Sequence, residues 1–275
     1  MTATNEAALI GTVGWRLCAI AGGDNPMLSL PPDGETQAAP VRLPDLPPAF
    51  LYLYATLESE MTGDRFPAED DHRSAGEAAP TRALGYVLGV TSAVHGEGVS
   101  TVAVNLARAA AAATFDRVLV VEISLGEPVL AGRLGAEPSP LEGAGVVSLI
   151  EDAGADVPLL RLDADAAVFL LPAGRAPRNA ARCARSPRAR AVLSALRAAF
   201  DLVILELPPV VTDDANPLAQ HTDGVAFVAR AGVTPRAAVN AAINRVGRER
   251  VRGVVMNDTE TRVPENLRRR LLAGT

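Results

Sequence analysis

The sequence predicts an α/β fold built on a doubly wound, mostly parallel sheet flanked by helices. Three observations predict it. From Gly85 onward, short apolar segments alternate with segments of helical pattern, the order that builds parallel sheets with crossover helices. The strand candidates are Val-rich and almost continuously apolar, as strands read when helices cover both faces of a sheet. A glycine-rich hexapeptide, Gly96-Glu97-Gly98-Val99-Ser100-Thr101, stands between an apolar strand and a helix start. That is where such folds carry a phosphate-binding turn.

The elements follow in order. Residues 1–45 are weakly patterned and rich in Pro, Gly and Ala, with turn or linker signals at Pro31-Pro32-Asp33-Gly34 and Pro44-Asp45-Leu46-Pro47-Pro48. Residues 1–48 are therefore expected to be a flexible N-terminal extension and 49–275 the folded domain. Residues 49–61 read as one amphipathic helix. Residues 62–82 are polar and acidic, include Asp70-Asp71 and Ala79-Pro80, and read as an exposed loop. Strands are expected at 85–92, 117–123, 167–171, 202–206, 224–229 and 251–256. Helices are expected at 100–114, 146–152, 187–199, 235–247 and 265–272. No internal repeat is present.

Composition narrows the class. The 275 residues are 48% hydrophobic and 21% charged, with mean hydropathy +0.17. This fits one core of ordinary size plus extra segments. Aromatics are only 4%, so Ala, Val and Leu must build the core. A formal charge of −6 argues against nucleic acid as the main partner. Cys18 and Cys183 have no metal-ligand spacing and imply no disulfide framework, so they read as incidental thiols. The apolar stretch at 7–21 is too short for a span and is interrupted by Arg16. No basic region precedes it, which argues against a signal peptide. A cytosolic chain is expected, with a peripheral membrane role left open.

In a working phosphate-binding loop, backbone N–H groups and the helix N-terminus cradle the phosphates. A lysine neutralises the β and γ oxygens, and a Ser or Thr holds Mg²⁺. Here Val99 occupies the lysine position, and the chain contains no lysine at all. Losing one charge-assisted phosphate contact costs about 1.5–3 kcal/mol, or roughly 10–100-fold in affinity. The backbone cradle of Gly96, Glu97, Gly98, Val99, Ser100 and Thr101 remains. Weak binding of ATP or ADP, with Mg²⁺ on Ser100 if the metal is bound, is physically allowed. Catalysis suffers more, because phosphoryl transfer depends chiefly on electrostatic stabilisation of the transferring group.

From residue 49 onward the chain resembles the P-loop tyrosine kinases of bacterial capsule and exopolysaccharide biosynthesis, within the MinD/ParA-like ATPase group. The loop at 96–101 looks like their Gly-Glu-Gly-Lys-Ser-Thr. Arg117 to Glu122, with Leu125 and Pro128, looks like the second Walker A-type strand. Gly145-Val146-Val147-Ser148-Leu149-Ile150 resembles the following turn and helix. Leu171-Pro172-Ala173-Gly174 with Pro177 and Asn179 matches a Leu-Pro-x-Gly…Pro-Asn segment. Phe200 to Pro209 looks like the Walker B strand. Asp223-Gly224-Val225 through Val228-Ala229-Arg230, and Gly253 to Asn257, match the last two strands. The resemblance implies that Asn257 touches adenine. It also implies a membrane polysaccharide co-polymerase or export protein as partner, homo-oligomer formation, and a place at the inner membrane reached through that partner.

The chain departs from the family where the chemistry lies. Glu122 and Ser124 stand where the second motif has aspartates, and Glu206 stands where Walker B has its aspartate. Each surviving carboxylate is one methylene longer, and Mg²⁺ geometry is strict. Glu122, Ser124 and Glu206 thus read as vestigial. The family's tail tyrosines are replaced by Arg268-Arg269-Arg270-Leu271-Leu272-Ala273-Gly274-Thr275. Leu51 and Tyr54 fall where an oligomerisation helix carries arginines, which puts family-type ring assembly in doubt. His95 reads as solvent-facing, Asp213 and Asp214 as turn formers or helix caps, and the Arg268–Arg270 run as a solvated helix end. The leading expectation is a catalytically impaired, kinase-like partner of a polysaccharide export system. The alternatives are a residual ATPase or tyrosine kinase, with Arg108 or a partner's arginine replacing the lysine, and a MinD/ParA-like scaffold.

Overall fold

The computed structural model describes residues 12–19, 28–29, 43–62, 84–123, 130–134, 143–152, 155–162, 168–212 and 215–258. The described strands are β1 (Thr12–Ala19), β2 (Leu28–Ser29), β3 (Tyr86–Ser92), β4 (Val118–Glu122), β5 (Asp156–Arg161), β6 (Val168–Leu171), β7 (Leu202–Glu206), β8 (Gly224–Arg230) and β9 (Val251–Asn257). They form one sheet in the order β2-β1-β5-β6-β4-β7-β3-β8-β9. From β6 to β9 every pairing is parallel. The β2, β1 and β5 end is antiparallel. The doubly wound, mostly parallel α/β class is thus the observed one.

The described helices are α1 (Pro48–Thr62), α2 (Val99–Ala113), α3 (Leu130–Arg133), α4 (Val146–Glu151), α5 (Ala180–Ala184), α6 (Pro187–Ala199), α7 (Ala215–Ala219) and α8 (Arg236–Val246). Strand side chains alternate between faces with period two. Val87, Leu119, Val121, Val203 and Leu205 join one core with Leu149, Val192 and Leu196 of α4 and α6. Leu88, Val90, Val118, Val120 and Ile204 join a second core with Val104 and Leu106 of α2 and with Tyr54 and Leu57 of α1. β3, β4, β6 and β7 are buried along their whole length, which is why the sequence reads as continuous apolar runs there. Each fully buried Val or Leu contributes about 1.5–3 kcal/mol, so the two cores fix the sheet.

Local chemistry sets the helix ends. Ser186 caps α6 by accepting the Ala189 N–H at 3.0 Å, and Pro187 follows at the first helical position. Asn179 caps α5 by accepting the Arg182 N–H at 2.8 Å.

The sequence missed β1, β2, β5, α3, α5 and α7. Of these, β5 contains Pro158, which cannot donate to a ladder. It is accommodated beside a register shift in β1 between Val13 and Arg16. The expected helix at 265–272, the run Arg268–Arg270 and the exposed loop expected at 62–82, apart from Thr62 at the end of α1, lie outside the described residues. No helix among the described residues is long and apolar enough to cross a membrane.

Candidate functional site

The C-terminal ends of β3, β4 and β7 lie side by side. Val90 and Glu122 are both in register with Glu206. Ligands bind at this edge of a doubly wound sheet, and the glycine-rich loop leaves β3 there. Gly96 and Gly98 take φ of +81° and +91°, the left-handed region that glycine adopts without strain. Their conformation turns the chain into α2, whose first residue is Val99. Gly98 precedes that helix with no side-chain cap. A turn of this kind before a helix start leaves the first backbone N–H groups of the helix without intrahelical acceptors.

Val99 does not replace the missing charge. It is half-buried and packs against the core on the α1 and α2 face. Arg108 does not replace it either. It is buried, and its Nη1 donates to Pro44 O at 2.9 Å and to Asn105 Oδ1 at 3.3 Å. The loop therefore fits the backbone half of a nucleotide site, and neither Val99 nor Arg108 supplies the cationic half.

The acidic residues divide. Ser100 Oγ donates to Glu206 Oε1, so the hydroxyl and carboxylate that would share a Mg²⁺ ion lie together. Glu122 is used elsewhere. It is buried, accepts the Leu130 N–H at 2.5 Å through Oε1, and accepts the Ala173 N–H at 3.1 Å through Oε2. Its carboxylate joins the start of α3 to the turn after β6. The extra methylene of glutamate gives it reach to both amides. Ser124, Asp213 and Asp214 lie outside the described residues. Among those described, no group of three or more His, Cys, Asp or Glu side chains is placed to hold a metal.

Two of the motifs quoted above meet at the same edge. Val146 and Val147 donate their N–H groups to Pro172 O and Ala173 O at 2.9 and 3.2 Å. The approach requires glycine at 145, because an added Cβ would lie 2.4 Å from Gly174 N and Pro172 O.

The far side of the loop is held by Asn257 at the end of β9 and by Thr234 in the connection from β8 to α8. Asn257 Nδ2 donates to Glu97 O at 2.9 Å. Glu97 itself is 3% exposed, and its Oε1 accepts the Thr234 hydroxyl. Its Oε2 is buried with no hydrogen-bond partner among the described residues. Thr234 was not singled out in the sequence; only its position before Pro235 at the start of α8 hinted at a structural role. His95 and Thr101 are exposed.

No family model matches the chain. It is 31% identical over 182 residues to the succinoglycan biosynthesis transport protein ExoP of Rhizobium meliloti, covering 63% of this chain but only 22% of that protein. It is 26% identical over 179 residues to the tyrosine-protein kinase CpsD of Streptococcus agalactiae, covering 62% of this chain and 74% of the relative. Among solved structures, the VpsO kinase domain superposes with TM-score 0.58 at 22% identity, over 77% of this chain and 97% of that one. The kinase domain of the Escherichia coli tyrosine kinase ETK gives 0.56 at 17% identity, over 78% and 79%. A cobyrinic acid a,c-diamide synthase from Mycobacterium smegmatis with bound ADP and magnesium gives 0.51 at 18% identity, over 69% and 80%. At these identities the superpositions establish the fold alone. By sequence the chain is similar to a succinoglycan biosynthesis transport protein and a tyrosine-protein kinase, and by fold to bacterial kinase domains.

Proposed function

We propose that the chain is a catalytically impaired, tyrosine-kinase-like protein. In this reading it serves a membrane polysaccharide co-polymerase or export protein as a cytosolic partner, and it meets the inner membrane through that partner. The observation that carries the reading is Val99, an apolar residue packed on the core at the phosphate lysine position, in a chain with no lysine. Glu122 supports it, since two backbone amides occupy the carboxylate. The match to ExoP supports the pathway and the partner. The match covers 22% of that transport protein.

Isothermal titration with ADP and ATP, with and without Mg²⁺, tests the impairment. The expected result is no heat, or millimolar affinity unaffected by Mg²⁺. Micromolar, Mg²⁺-dependent binding would overturn it. Co-purification that recovers no polysaccharide-assembly protein would count against the partner role.

The paired Ser100 and Glu206 favour one second reading, a residual ATPase or kinase that receives its cation from a partner's arginine. Phosphate release no greater than that of a Ser100→Ala variant would sink it.

A further inference from the structure

Residues 166–200 contain seven arginines and no acidic residue, in a chain whose formal charge is −6. The fold gathers six of them, Arg175 to Arg190, on one rim, while Arg197 at the end of α6 lies toward the opposite edge, where its carbonyl accepts the Gly85 N–H ahead of β3. β6 ends at Leu171, and its continuation runs into α5 and the start of α6. The segment therefore stands at the C-terminal edge of the sheet, three strands from the strand that carries the phosphate loop.

Some of these arginines are engaged. Arg175 pairs with Glu151, Arg188 Nε donates to Leu149 O at 3.2 Å, and Arg197 Nη1 pairs with Asp223 at 3.0 Å. Arg178, Arg182, Arg185 and Arg190 are exposed. Among the described residues no carboxylate pairs with them. Burial, and after it the charge of nearby Arg190, lowers the pKa of His221.

Arg182 and Arg185 line an open groove of about 610 Å³ with Asn179, Ala181, Ser186 and Pro187. The corner is rigid, because Asn179 and Ser186 each cap a helix across it. The guanidiniums thus extend from a backbone that needs no ordering when they bind.

We propose that this rim is a docking surface for an acidic polypeptide segment of a partner protein. Arg182 and Arg185 hold carboxylates in the groove, and Arg178 and Arg190 steer the segment from its flanks. Guanidinium pairs with carboxylate bidentately, and the Ala181 and Pro187 walls give an extended chain apolar contact. A bilayer presents a flat charged plane that cannot enter a groove. An anionic bilayer or nucleic acid would also meet the net negative charge of the remaining chain. A short segment lies within about one Debye length of the arginines and avoids that field. The inference concerns the partner's chemistry and stands whether or not the phosphate loop holds nucleotide.

Fluorescence anisotropy of a labelled oligo-glutamate peptide against the full chain tests it, at about 50 and about 300 mM salt. Arg182→Glu/Arg185→Glu is compared with Arg236→Glu/Arg245→Glu, a pair with the same charge change at exposed sites on α8. The expected result is salt-sensitive binding that falls roughly tenfold or more in the first variant and less than about twofold in the second. Three outcomes would overturn the proposal: no binding by the unaltered chain, equal losses in both variants, or binding to vesicles of roughly 30% phosphatidylserine without binding to the peptide.

Discussion

Restoring the lysine at position 99 is the most direct perturbation of the phosphate loop. In Val99→Lys, an ammonium group at the head of α2 would gain a charge-assisted contact with nucleotide phosphate. Such a contact contributes about 1.5–3 kcal/mol, which predicts roughly 10–100-fold tighter ADP binding. The substitution also has a cost that the structure sets. Val99 is half-buried against the core between α1 and α2. Losing about half of a valine's burial removes about 1 kcal/mol, part of which the lysine stem recovers. The nucleotide-free variant should therefore melt about 2–4 °C lower, and saturating ADP should reverse the shift. Titration calorimetry reads the affinity, and thermal denaturation with and without nucleotide reads the stability. If Val99→Lys binds no more tightly than the unaltered chain, the missing cation is not what limits the site. If the unaltered chain already binds Mg²⁺-ADP at micromolar concentration, the loop has another source of charge. Either result refutes the reasoning.

Four other substitutions test the surrounding structure. Glu122→Ala leaves the Leu130 and Ala173 amides without their acceptor, and each orphaned buried donor costs about 1–3 kcal/mol. The urea midpoint should fall accordingly, whereas a solvated metal ligand would leave it unchanged. Gly145→Ala places a Cβ 2.4 Å from the backbone of Gly174 and Pro172 and should destabilise by about 2 kcal/mol or more. Gly132→Ala, whose Cβ meets nothing within 4 Å, should be neutral or slightly stabilising in the same denaturation series. Burial, and secondarily the nearby Glu151, raises the Cys183 thiol from 9.0 to about 11. The folded state then holds a proton that the unfolded state gives up between about pH 9 and 11, so stability should fall across that window. Cys183→Ala should remove part of that fall, and an identical pH profile in the variant would contradict the assignment.

The phosphate loop was legible because its parts are adjacent in the chain. Gly96 and Gly98 mark the left-handed positions, the flanking apolar strand and the helix follow at once, and the valine is visible at its place. The buried strands β3, β4, β6, β7 and β8 were legible for a related reason. A strand covered on both faces must be apolar along its length, and that leaves a signature no partner is needed to read. The elements that escaped lack such a signature. α5 and α7 have five residues each, too few to show a period of 3.6. β5 carries a proline whose place depends on an irregularity in another strand.

The sequence alone determined the α/β class, the loop and the absence of its lysine, since each follows from local spacing and residue type. The tertiary structure decided how the surviving groups are used. Glu122 reads in sequence as a displaced metal ligand, yet it accepts an amide from Ala173, 51 residues away. Glu97 reads as a loop residue, yet it is buried under Thr234, 137 residues away. Arg108 reads as a substitute cation, yet it binds the carbonyl of Pro44. A side chain's chemistry is local, but the partner that takes up its charge or its hydrogen bonds is brought to it by packing of distant segments.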